Sequence, residues 1–592
     1  MNDMATNEVV MGAAENSQAA ASFWLAHRMR AVQEFIKNVT VIDDEPAVGH
    51  SSAQLVEATV LVPPDDDGLG SNMPLVAPSN DEGLPQEPID VGHSLDVREV
   101  SDAFADIGVA CAFVLPEKTK DSNAEDVLNR IIKASKLSDM VIVDWHMREP
   151  NPNLTKRVLT SIAKQDFAEN GRLRLICVYT GQDVGPGILE DAKGALVEGG
   201  IELNTLPNDP SRLAAKGAHC MLIVLSKKTV AADKLPEVLL KEFAELSDGV
   251  LPSFALAAIG AIRKNAHHMV TRFSSELDSA FIANRMITDP PDDVAGMLRD
   301  LFVAECDTAL GLEGISDRYL GEETLSRWIA ARNLPIQDLP YEFKESEYSI
   351  NNDALARLLK YGVNNYGILG AEGGEPQPLP TKKRHLVSQF LAGNEELAHG
   401  AERKFARLVA MRREAFGGTK LSSDTGKWRP VLTTGTLLAS VPTENEPKQQ
   451  WLLCLTPICD TVRLKKSKRF TFFLASENET KKANLIVISV DGKEKKLYFD
   501  TEHPHFVPIA FAPDSDSERV LGIDSGEKHK SNPVFVFSEP NETRKYTWYG
   551  EIRYARATKI IGELIGNWGR MGINDSEFLR LVEKGDFSIK GC

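Results

Sequence analysis

Residues 38–49 read NVTVIDDEPAVG, and this stretch decides how the first half of the chain is interpreted. The residues from Val39 to Ile42 are all β-branched and predict a buried strand, which two adjacent carboxylates, Asp43 and Asp44, follow directly. Neighbouring aspartates repel each other, so a chain that places them at the end of a strand commonly offers them a cation. Acidic residues are also common in solvated turns after strands. The dipeptide alone leaves both interpretations open.

The composition is that of an ordinary globular protein. Its 592 residues are 42% hydrophobic and 26% charged, a length that predicts about three or four domains. The formal net charge of -18 argues against nonspecific attraction to nucleic acid or to an anionic membrane surface. The 7 cysteines show no CxxC spacing, the N-terminal stretch is polar, and no apolar run of about 18 residues occurs. We therefore expect a cytoplasmic protein that binds neither nucleic acid nor membranes.

Apolar runs alternate with amphipathic helical patterns between residues 38 and 248. The strand-like runs are residues 39–42, 109–116, 139–147, 172–181 and 220–228. The helical patterns are residues 94–108, with Ser94 as a possible N-cap and Gly108 as a stop, 124–135, 153–165, 187–200 and 234–247. Residues 47–92 are rich in Pro, Gly and Asp and read as a long insertion. This alternation predicts a doubly wound α/β domain with a five-stranded parallel sheet.

Polar residues stand at the carboxyl ends of four of these strands. Parallel sheets of this class place their functional sites at that edge. The residues there are Asp43, Asp44, Asp144, Thr180 and Lys227. Three converging carboxylates can hold a hard divalent cation such as Mg²⁺, and a hydroxyl and an ammonium group can contact a phosphoryl group. The acidic pair therefore has predicted partners on three other strands, which favours the cation-binding interpretation over a solvated turn.

These five residues and their order resemble the receiver domains of two-component response regulators, over roughly residues 38–248. The resemblance implies a receiver or flavodoxin-like fold, in which Asp43, Asp44 and Asp144 hold Mg²⁺. It also implies that Asp144 accepts a phosphoryl group from a sensor histidine kinase, while Thr180 and Lys227 contact that group.

The chain also departs from the receiver pattern. A long insertion follows the acidic pair, and another segment precedes the fifth strand. Lys228 stands where the family usually has proline, so either Lys227 or Lys228 could be the lysine that pairs with phosphate. Trp145 and His146, which follow Asp144, are interpreted as side chains that shape the rim of the site.

The second half contains no output motif that can be named. Residues 249–425 read as a helical domain, and residues 430–592 read as a β-rich domain that ends in two helices, while residues 1–37 form a helical or flexible segment. His267 and His268 on a predicted helix suggest a phosphohistidine, but surface histidines are the commoner case. Cys454 and Cys459 fit no closed zinc pattern and are expected to be buried structural thiols.

The whole arrangement resembles the large response-receiver proteins of bacterial anti-phage operons, in particular the regulatory receiver component of Detocs systems. The segments IRKNAHHM at 262–269 and CLTPICDTVRL at 454–464 carry this likeness. It implies a sensor kinase as partner and a receiver-containing effector that competes for the same kinase. In that family the regulator is thought to drain stray phosphate.

Three functions remain open at this point. The first is a phosphoacceptor regulator in an anti-phage phosphorelay, with at most slow autodephosphorylation as an enzymatic activity. The second is a Mg²⁺-dependent phosphatase with Asp43 as nucleophile and Glu45 as general acid. The third is a receiver-shaped adaptor that acts without phosphorylation. The chain lacks the GxxxxGK[ST], GxSxG and HExxH motifs and a basic recognition helix, which argues against other enzymes and against a transcription factor.

Overall fold

The structure is a computed structural model of the 592-residue chain, and its description covers most of that length. The described residues are 2–47, 94–116, 124–147, 151–169, 171–207, 212–289, 291, 293–332, 338–343, 346–365, 377–417, 428–444, 446–477, 483–529, 532–541 and 544–568. Almost all of the predicted insertion and the second of the two predicted C-terminal helices lie outside these residues. The chain divides into two compact units, Met1–Ser275 with Asp300–Asn333, and Glu276–Arg299 with Leu334–Cys592.

Nine strands and the first seven helices lie within the first unit. The strands are β1 (Asn38–Ile42), β2 (Pro46–Ala47), β3 (Leu95–Asp96), β4 (Ala110–Val114), β5 (Met140–Val143), β6 (Arg174–Thr180), β7 (Asn204–Thr205), β8 (Leu213–Lys216) and β9 (Cys220–Ser226). The helices are α1 (Asn2–Phe35), α2 (Val97–Asp106), α3 (Ala124–Ser135), α4 (Asn153–Ala168), α5 (Pro186–Glu198), α6 (Leu235–Leu246) and α7 (Val250–Thr271). Four further helices follow: α8 (Asp278–Ile287), α9 (Asp293–Leu312), α10 (Ile315–Leu320) and α11 (Glu322–Ala331).

The main sheet of the first unit has seven strands in the order β4-β1-β5-β6-β9-β8-β7. Its five strands β4, β1, β5, β6 and β9 are parallel, which confirms the predicted five-stranded parallel sheet. Strands β8 and β7 extend the sheet antiparallel and were not predicted. The second predicted strand, residues 109–116, corresponds to β4, which is the edge strand of the sheet and exposes Ala110 and Ala112.

Helices cover both faces of this sheet, as the doubly wound class requires. Val39 and Val41 of β1 belong to a core that includes side chains of α2 and α6, whereas Val141 and Val143 of β5 belong to a core with side chains of α3, α4 and α5. Successive strand residues point to opposite faces, so the inner parallel strands β1, β5, β6 and β9 are buried along nearly their whole length. This explains why continuous apolar runs marked these strands in the sequence.

The start of α2 differs from the prediction. Asp96 is the N-cap, and its side chain accepts a hydrogen bond from the backbone N–H of Glu99 at 3.0 Å. Ser94 cannot take that place because Leu95 and Asp96 form β3, which pairs with β2. The predicted stop is present, since Gly108 follows the helix with a φ of 75°.

The first unit extends beyond the segment that resembles a receiver. Helix α1 packs against α6 and α7, and the buried Arg28 on α1 forms ion pairs with Glu245 and Asp248 at 3.2 and 3.1 Å. Sequence-based boundaries placed α1 in a separate segment and α7 in a helical domain. Those boundaries stay predictions, whereas the structure groups both helices with the sheet.

The second unit combines helices with an antiparallel sheet. Its elements after residue 334 are β10 (Leu339–Phe343), β11 (Ser346–Ile350), α12 (Asn352–Asn365), α13 (His385–Ala392), α14 (Glu395–Ala410), β12 (Met411–Glu414), β13 (Thr436–Ser440), β14 (Trp451–Cys454), β15 (Lys468–Glu477), β16 (Leu485–Ile488), β17 (Glu494–Tyr498), β18 (Phe506–Phe511), β19 (Ile523–His529), β20 (Asn532–Ser538), β21 (Lys545–Ile552) and α15 (Tyr554–Trp568). Ten of these strands form one sheet along the path β16-β17-β15-β14-β13-β21-β20-β19, with β12 on β21 and β18 on β15. The helices and the β-rich region are therefore confirmed.

One helix in the second unit ends earlier than its sequence pattern. Residues 249–425 were predicted to be helical, but α14 ends at Ala410 and β12 begins at Met411. Pairing of Met411 with Ile552 on β21 overrides the local helical preference. Among the described residues, no helix combines the length and apolar character needed to cross a membrane.

Candidate functional site

The carboxyl ends of β1, β5, β6 and β9 bring the predicted site residues together. Ile42 pairs with Val143 at the ends of β1 and β5, and the backbone N–H of Asp144 donates to the carbonyl of Ile42 at 2.9 Å. Asp43 and Asp144 therefore follow neighbouring strands at the same level. Both carboxylates and that of Asp44 are buried.

Lys227 connects two of these carboxylates. Its Nζ lies 2.7 Å from Oδ2 of Asp43 and 3.2 Å from Oδ1 of Asp144, and its side chain is only 6% exposed. The neighbouring Lys228 extends elsewhere and pairs with Asp183 in solvent at 3.1 Å. The structure thus brings Lys227, and not Lys228, to the predicted phosphoacceptor.

Backbone amides fix the other oxygens of the same two carboxylates. Oδ1 of Asp43 accepts a hydrogen bond from the N–H of Glu45 at 2.8 Å. Oδ2 of Asp144 accepts one from the N–H of His146 at 3.1 Å. Each carboxylate is therefore held in one orientation by an amide on one side and by the lysine on the other.

Thr180 completes the site from β6, the strand between β5 and β9. The residue is 1% exposed, and its Oγ1 accepts a hydrogen bond from the N–H of Gln182 at 3.3 Å. Its carbonyl accepts the N–H of Lys227 at 2.8 Å, which ties the loop after β9 to the end of β6. The five residues predicted from the sequence are therefore all found at one edge of the sheet.

Burial dominates the electrostatics of this site. It raises the pKa of Asp144 from 3.8 to about 6, although the nearby Lys227 opposes the shift. Burial also raises the pKa of Asp43, again against the effect of Lys227. For Lys227 itself, burial alone would lower the pKa, but the two carboxylates outweigh it and the pKa is raised. The lysine is therefore charged at neutral pH, and the carboxylates lie in surroundings that disfavour their charge.

Three contacts around the site were not found from the sequence. Thr155, in the first turn of α4, donates its hydroxyl to the carbonyls of Asp144 and Trp145 at 2.9 Å each and so fixes the backbone at Asp144. Gln182 hydrogen-bonds through Nε2 to Nδ1 of His146. A hydroxyl residue near the start of a helix was a visible signal for Thr155, whereas nothing in the sequence pairs residues 146 and 182.

The predicted rim residues differ from each other in the structure. Trp145 is 4% exposed and packs in the core, so it does not line the rim. His146 is half-buried and lies at the mouth of the site through its contact with Gln182.

The residues present fit a divalent cation. Three buried carboxylates meet at one edge of the sheet, and carboxylate oxygens are the ligands that Mg²⁺ prefers. The raised pKa values of Asp43 and Asp144 show that negative charge is poorly solvated there. A bound cation would offset the poorly solvated negative charge of these carboxylates.

Other residues singled out in the sequence lie outside the site. His267 and His268 are exposed on α7, with ring centroids 3.8 Å apart. Cys454 is buried, and burial raises the pKa of its thiol to about 12, as expected for a structural thiol. The prediction of a buried thiol is wrong for Cys459, which is exposed in the loop after β14.

Comparison with known proteins agrees with this geometry. Residues 35–232, about a third of the chain, match the family model of the response receiver domain. No curated protein and no solved structure matches the chain. Receiver domains in general accept phosphoryl groups in two-component signalling and bind Mg²⁺ at the acceptor site. Residues 35–232 are therefore receiver-like, and the five predicted site residues lie at the carboxyl edge of the parallel sheet in this segment.

Proposed function

We propose that this protein is a phosphoacceptor regulator in which Asp144 takes a phosphoryl group from the phosphohistidine of a sensor kinase. The observation that carries the proposal is the pair of ion contacts from Lys227 Nζ to Asp43 and Asp144 at the carboxyl edge of the parallel sheet. This bridge places a cation next to the oxygen that would attack phosphorus. It also requires residues from three strands, so it depends on the whole fold.

The side chains then have separate tasks. The carboxylate of Asp144 pairs with the ammonium group of Lys227, and one of its oxygens forms a bond to phosphorus as the bond to the kinase imidazole breaks. Lys227 offers its ammonium group to the phosphoryl oxygens, and Thr180 offers its hydroxyl. Thr155 keeps the backbone of Asp144 in place during the transfer.

Asp43, Asp44 and Asp144 are the residues that would hold Mg²⁺. The ion supplies positive charge that offsets repulsion between the acidic site and the incoming phosphoryl group. Asp43 lies against Lys227 before any transfer, so the lysine must share its contacts between that carboxylate and the phosphoryl group.

We further propose that the protein acts as a phosphate sink in anti-phage signalling. Phosphate accepted at Asp144 would be denied to a second, receiver-containing effector served by the same kinase. Regulation would then depend on the relative amounts of the two acceptors. The likeness of the chain to the regulatory receivers of anti-phage operons supports this step.

Labelling with a small phosphodonor tests the acceptor. The full-length protein, incubated with acetyl phosphate and Mg²⁺, should gain one phosphoryl group by intact mass, and Asp144→Asn should gain none. Asp183→Asn is the matched control, because Asp183 is an exposed carboxylate whose lysine partner is the neighbour of Lys227. Labelling that survives in Asp144→Asn would contradict the proposal.

The same preparations separate the phosphatase alternative. A phosphatase with Asp43 as nucleophile would hydrolyse p-nitrophenyl phosphate repeatedly, would lose this activity in Asp43→Asn and would keep it in Asp144→Asn. We expect no such turnover, because Asp43 is 2% exposed and bound to Lys227.

A cellular experiment tests the sink. In cells that carry the cognate kinase and effector, Asp144→Asn should cause toxicity without infection, because basal kinase activity would act on the effector alone. Replacing the kinase histidine should remove that toxicity. Healthy cells that lose protection would instead indicate a forward relay, and full function in Asp144→Asn would indicate an adaptor.

A further inference from the structure

Two loops meet beside the predicted acceptor, one after β5 and one after β6. The first loop carries His146, whose backbone N–H donates to Oδ2 of Asp144 at 3.1 Å. The second loop carries Gln182, whose backbone N–H donates to Oγ1 of Thr180 at 3.3 Å. Each of these two loop residues is therefore fixed, through its own backbone, to one of the predicted site side chains.

The side chains of His146 and Gln182 also bind each other, and we call these two residues the rim pair. Gln182 Nε2 contacts Nδ1 of His146, and both residues are half-buried. With the two backbone hydrogen bonds, this contact completes an unbroken chain of interactions from the carboxylate of Asp144 to the hydroxyl of Thr180. The rim pair thus joins the two loops that flank the acceptor.

The position of the rim pair matters for the chemistry of an acyl phosphate. A phosphoryl group on Asp144 that is contacted by the Thr180 hydroxyl must lie between these two side chains, and the rim pair spans the same interval. In phosphoryl transfer, the attacking and leaving groups stand roughly in line on opposite sides of phosphorus. Water that hydrolyses the acyl phosphate therefore approaches from the side on which the phosphodonor departed.

We propose that the rim pair is a gate that limits the access of phosphodonors and of water to Asp144, and so sets the lifetime of its acyl phosphate. This inference rests on the proposed phosphoacceptor function. In the gated hydrolysis, a water oxygen bonds to phosphorus as the bond from phosphorus to the Asp144 oxygen breaks. The carboxylate is regenerated, and inorganic phosphate and a proton are released.

The size of the effect follows from the single side-chain contact that keeps the gate closed. Loss of one hydrogen bond of ordinary net strength changes an equilibrium between open and closed forms by about tenfold. If hydrolysis occurs in the open form, its rate rises by the same factor. Labelling should accelerate as well, because the phosphodonor passes the same gate. A residue that acted only as a catalyst of hydrolysis would leave labelling unchanged.

The test follows both rates in the full-length protein. Acetyl phosphate and Mg²⁺ label the protein, the donor is removed by rapid desalting, and intact mass then gives the half-life of the label. His146→Ala and Gln182→Ala should each shorten this half-life by about tenfold and speed labelling. The double variant should be no faster than either single variant, because each one already removes the same contact.

Asp183→Asn is the matched control, because it changes the residue next to Gln182, whose side chain is 98% exposed, and it should keep the wild-type half-life. Hydrogen exchange of the β6 amides should be the same in all variants, which separates gating from damage to the fold.

The outcomes distinguish this inference from the function on which it rests. A wild type that takes no label contradicts the phosphoacceptor role itself. A label whose half-life is unchanged in both single variants overturns the gate alone. Longer half-lives would show that the rim pair assists the attack of water, and additive effects in the double variant would show that the two side chains act separately; either result overturns the inference.

Discussion

The two ends of the parallel sheet both contain buried ions, but they are arranged differently. At the amino end of β6, Arg174 and Asp166 are each 1% exposed and form two parallel hydrogen bonds of 2.5 and 2.8 Å. The same guanidinium donates to the carbonyls of Ser135 and Ser138 at 3.0 and 2.8 Å. At the carboxyl end, three buried carboxylates are grouped with Lys227.

Net buried charge distinguishes the structural ion pair at the amino end from the predicted reactive site at the carboxyl end. At the amino end, the charges of one arginine and one aspartate cancel, and the two backbone carbonyls accept the remaining hydrogen bonds of the guanidinium. This pair therefore leaves no net buried charge. The carboxyl end has an excess of acid, and burial raises the pKa of Asp43 and Asp144. Excess buried negative charge favours the binding of a cation, at the expense of stability.

The largest effect should come from the amino end. Arg174→Met leaves Asp166 as a buried carboxylate without its partner, which should lower the free energy of unfolding of the first unit by about 3–5 kcal/mol. Native-state hydrogen exchange of the β6 amides measures this change directly, and the amides of β14 in the second unit serve as an internal reference.

The double variant Arg174→Met with Asp166→Leu tests the cause. It removes both charges and should restore most of the lost protection, because a buried pair contributes less than the penalty for breaking it. If Arg174→Met alone lowers the free energy of exchange by less than about 1 kcal/mol, Arg174 and Asp166 do not form a buried ion pair on which the fold depends.

The second effect concerns Mg²⁺ at the carboxyl end. At about a hundred times its Kd, Mg²⁺ should stabilise the first unit by about 2–3 kcal/mol, because only the folded state gathers the three carboxylates. Asp43→Asn combined with Asp44→Asn should blunt this response, while Asp183→Asn should keep it. An unchanged response in the double variant would remove the acidic pair from the metal site.

The sequence predicted the carboxyl end better than the amino end, for a physical reason. Asp144 and Thr180 each follow an apolar run directly, so the parallel topology alone brings them together. Arg174 stands inside such a run, and its partner comes from α4, which no local pattern links to it. The pairing of residues distant in sequence is a property of the tertiary fold.

Secondary-structure elements that depend on contacts with distant residues were also missed from the sequence. Strand β8 contains the sequence LAAK, which has no β-branched residue, and it is held by pairing with β9. Helix α14 gives way to β12 at Met411 because β21 offers backbone partners. Sequence patterns predict elements that bury their own apolar face, and they miss elements that exist because a neighbouring strand is available.

The third effect is a gain of stability at the carboxyl end. Without divalent cations at neutral pH, Asp144→Asn should stabilise the first unit by about 1–2 kcal/mol, because it removes a carboxylate that burial disfavours. An asparagine can still accept the hydrogen bond from the N–H of His146 through its side-chain carbonyl. Hydrogen exchange in EDTA measures the gain, and a loss of stability would contradict the raised pKa.

The stability of the first unit in EDTA should also depend on pH through the Asp144 carboxyl group. The folded protein holds the Asp144 proton up to about pH 6, whereas an ordinary aspartate loses it near 3.8, so between these values the folded state binds more protons than the unfolded state. Wild-type stability in EDTA should therefore fall as the pH rises through this window, by at most about 3 kcal/mol for this one group. The slope should be shallower in Asp144→Asn.

The smallest effect should come from Lys228, and it decides which lysine belongs to the site. Lys228 and Asp183 form an ion pair whose side chains are 51% and 98% exposed, so Lys228→Ala should change stability by less than about 0.5 kcal/mol. Labelling by acetyl phosphate should stay at the wild-type rate, because this ammonium group is directed away from Asp144. Lys227→Ala should slow labelling by about a hundredfold, since it removes the buried cation beside the attacking carboxylate. If Lys228→Ala slows labelling as much as Lys227→Ala does, the bridge through Lys227 is not what makes the carboxyl end reactive.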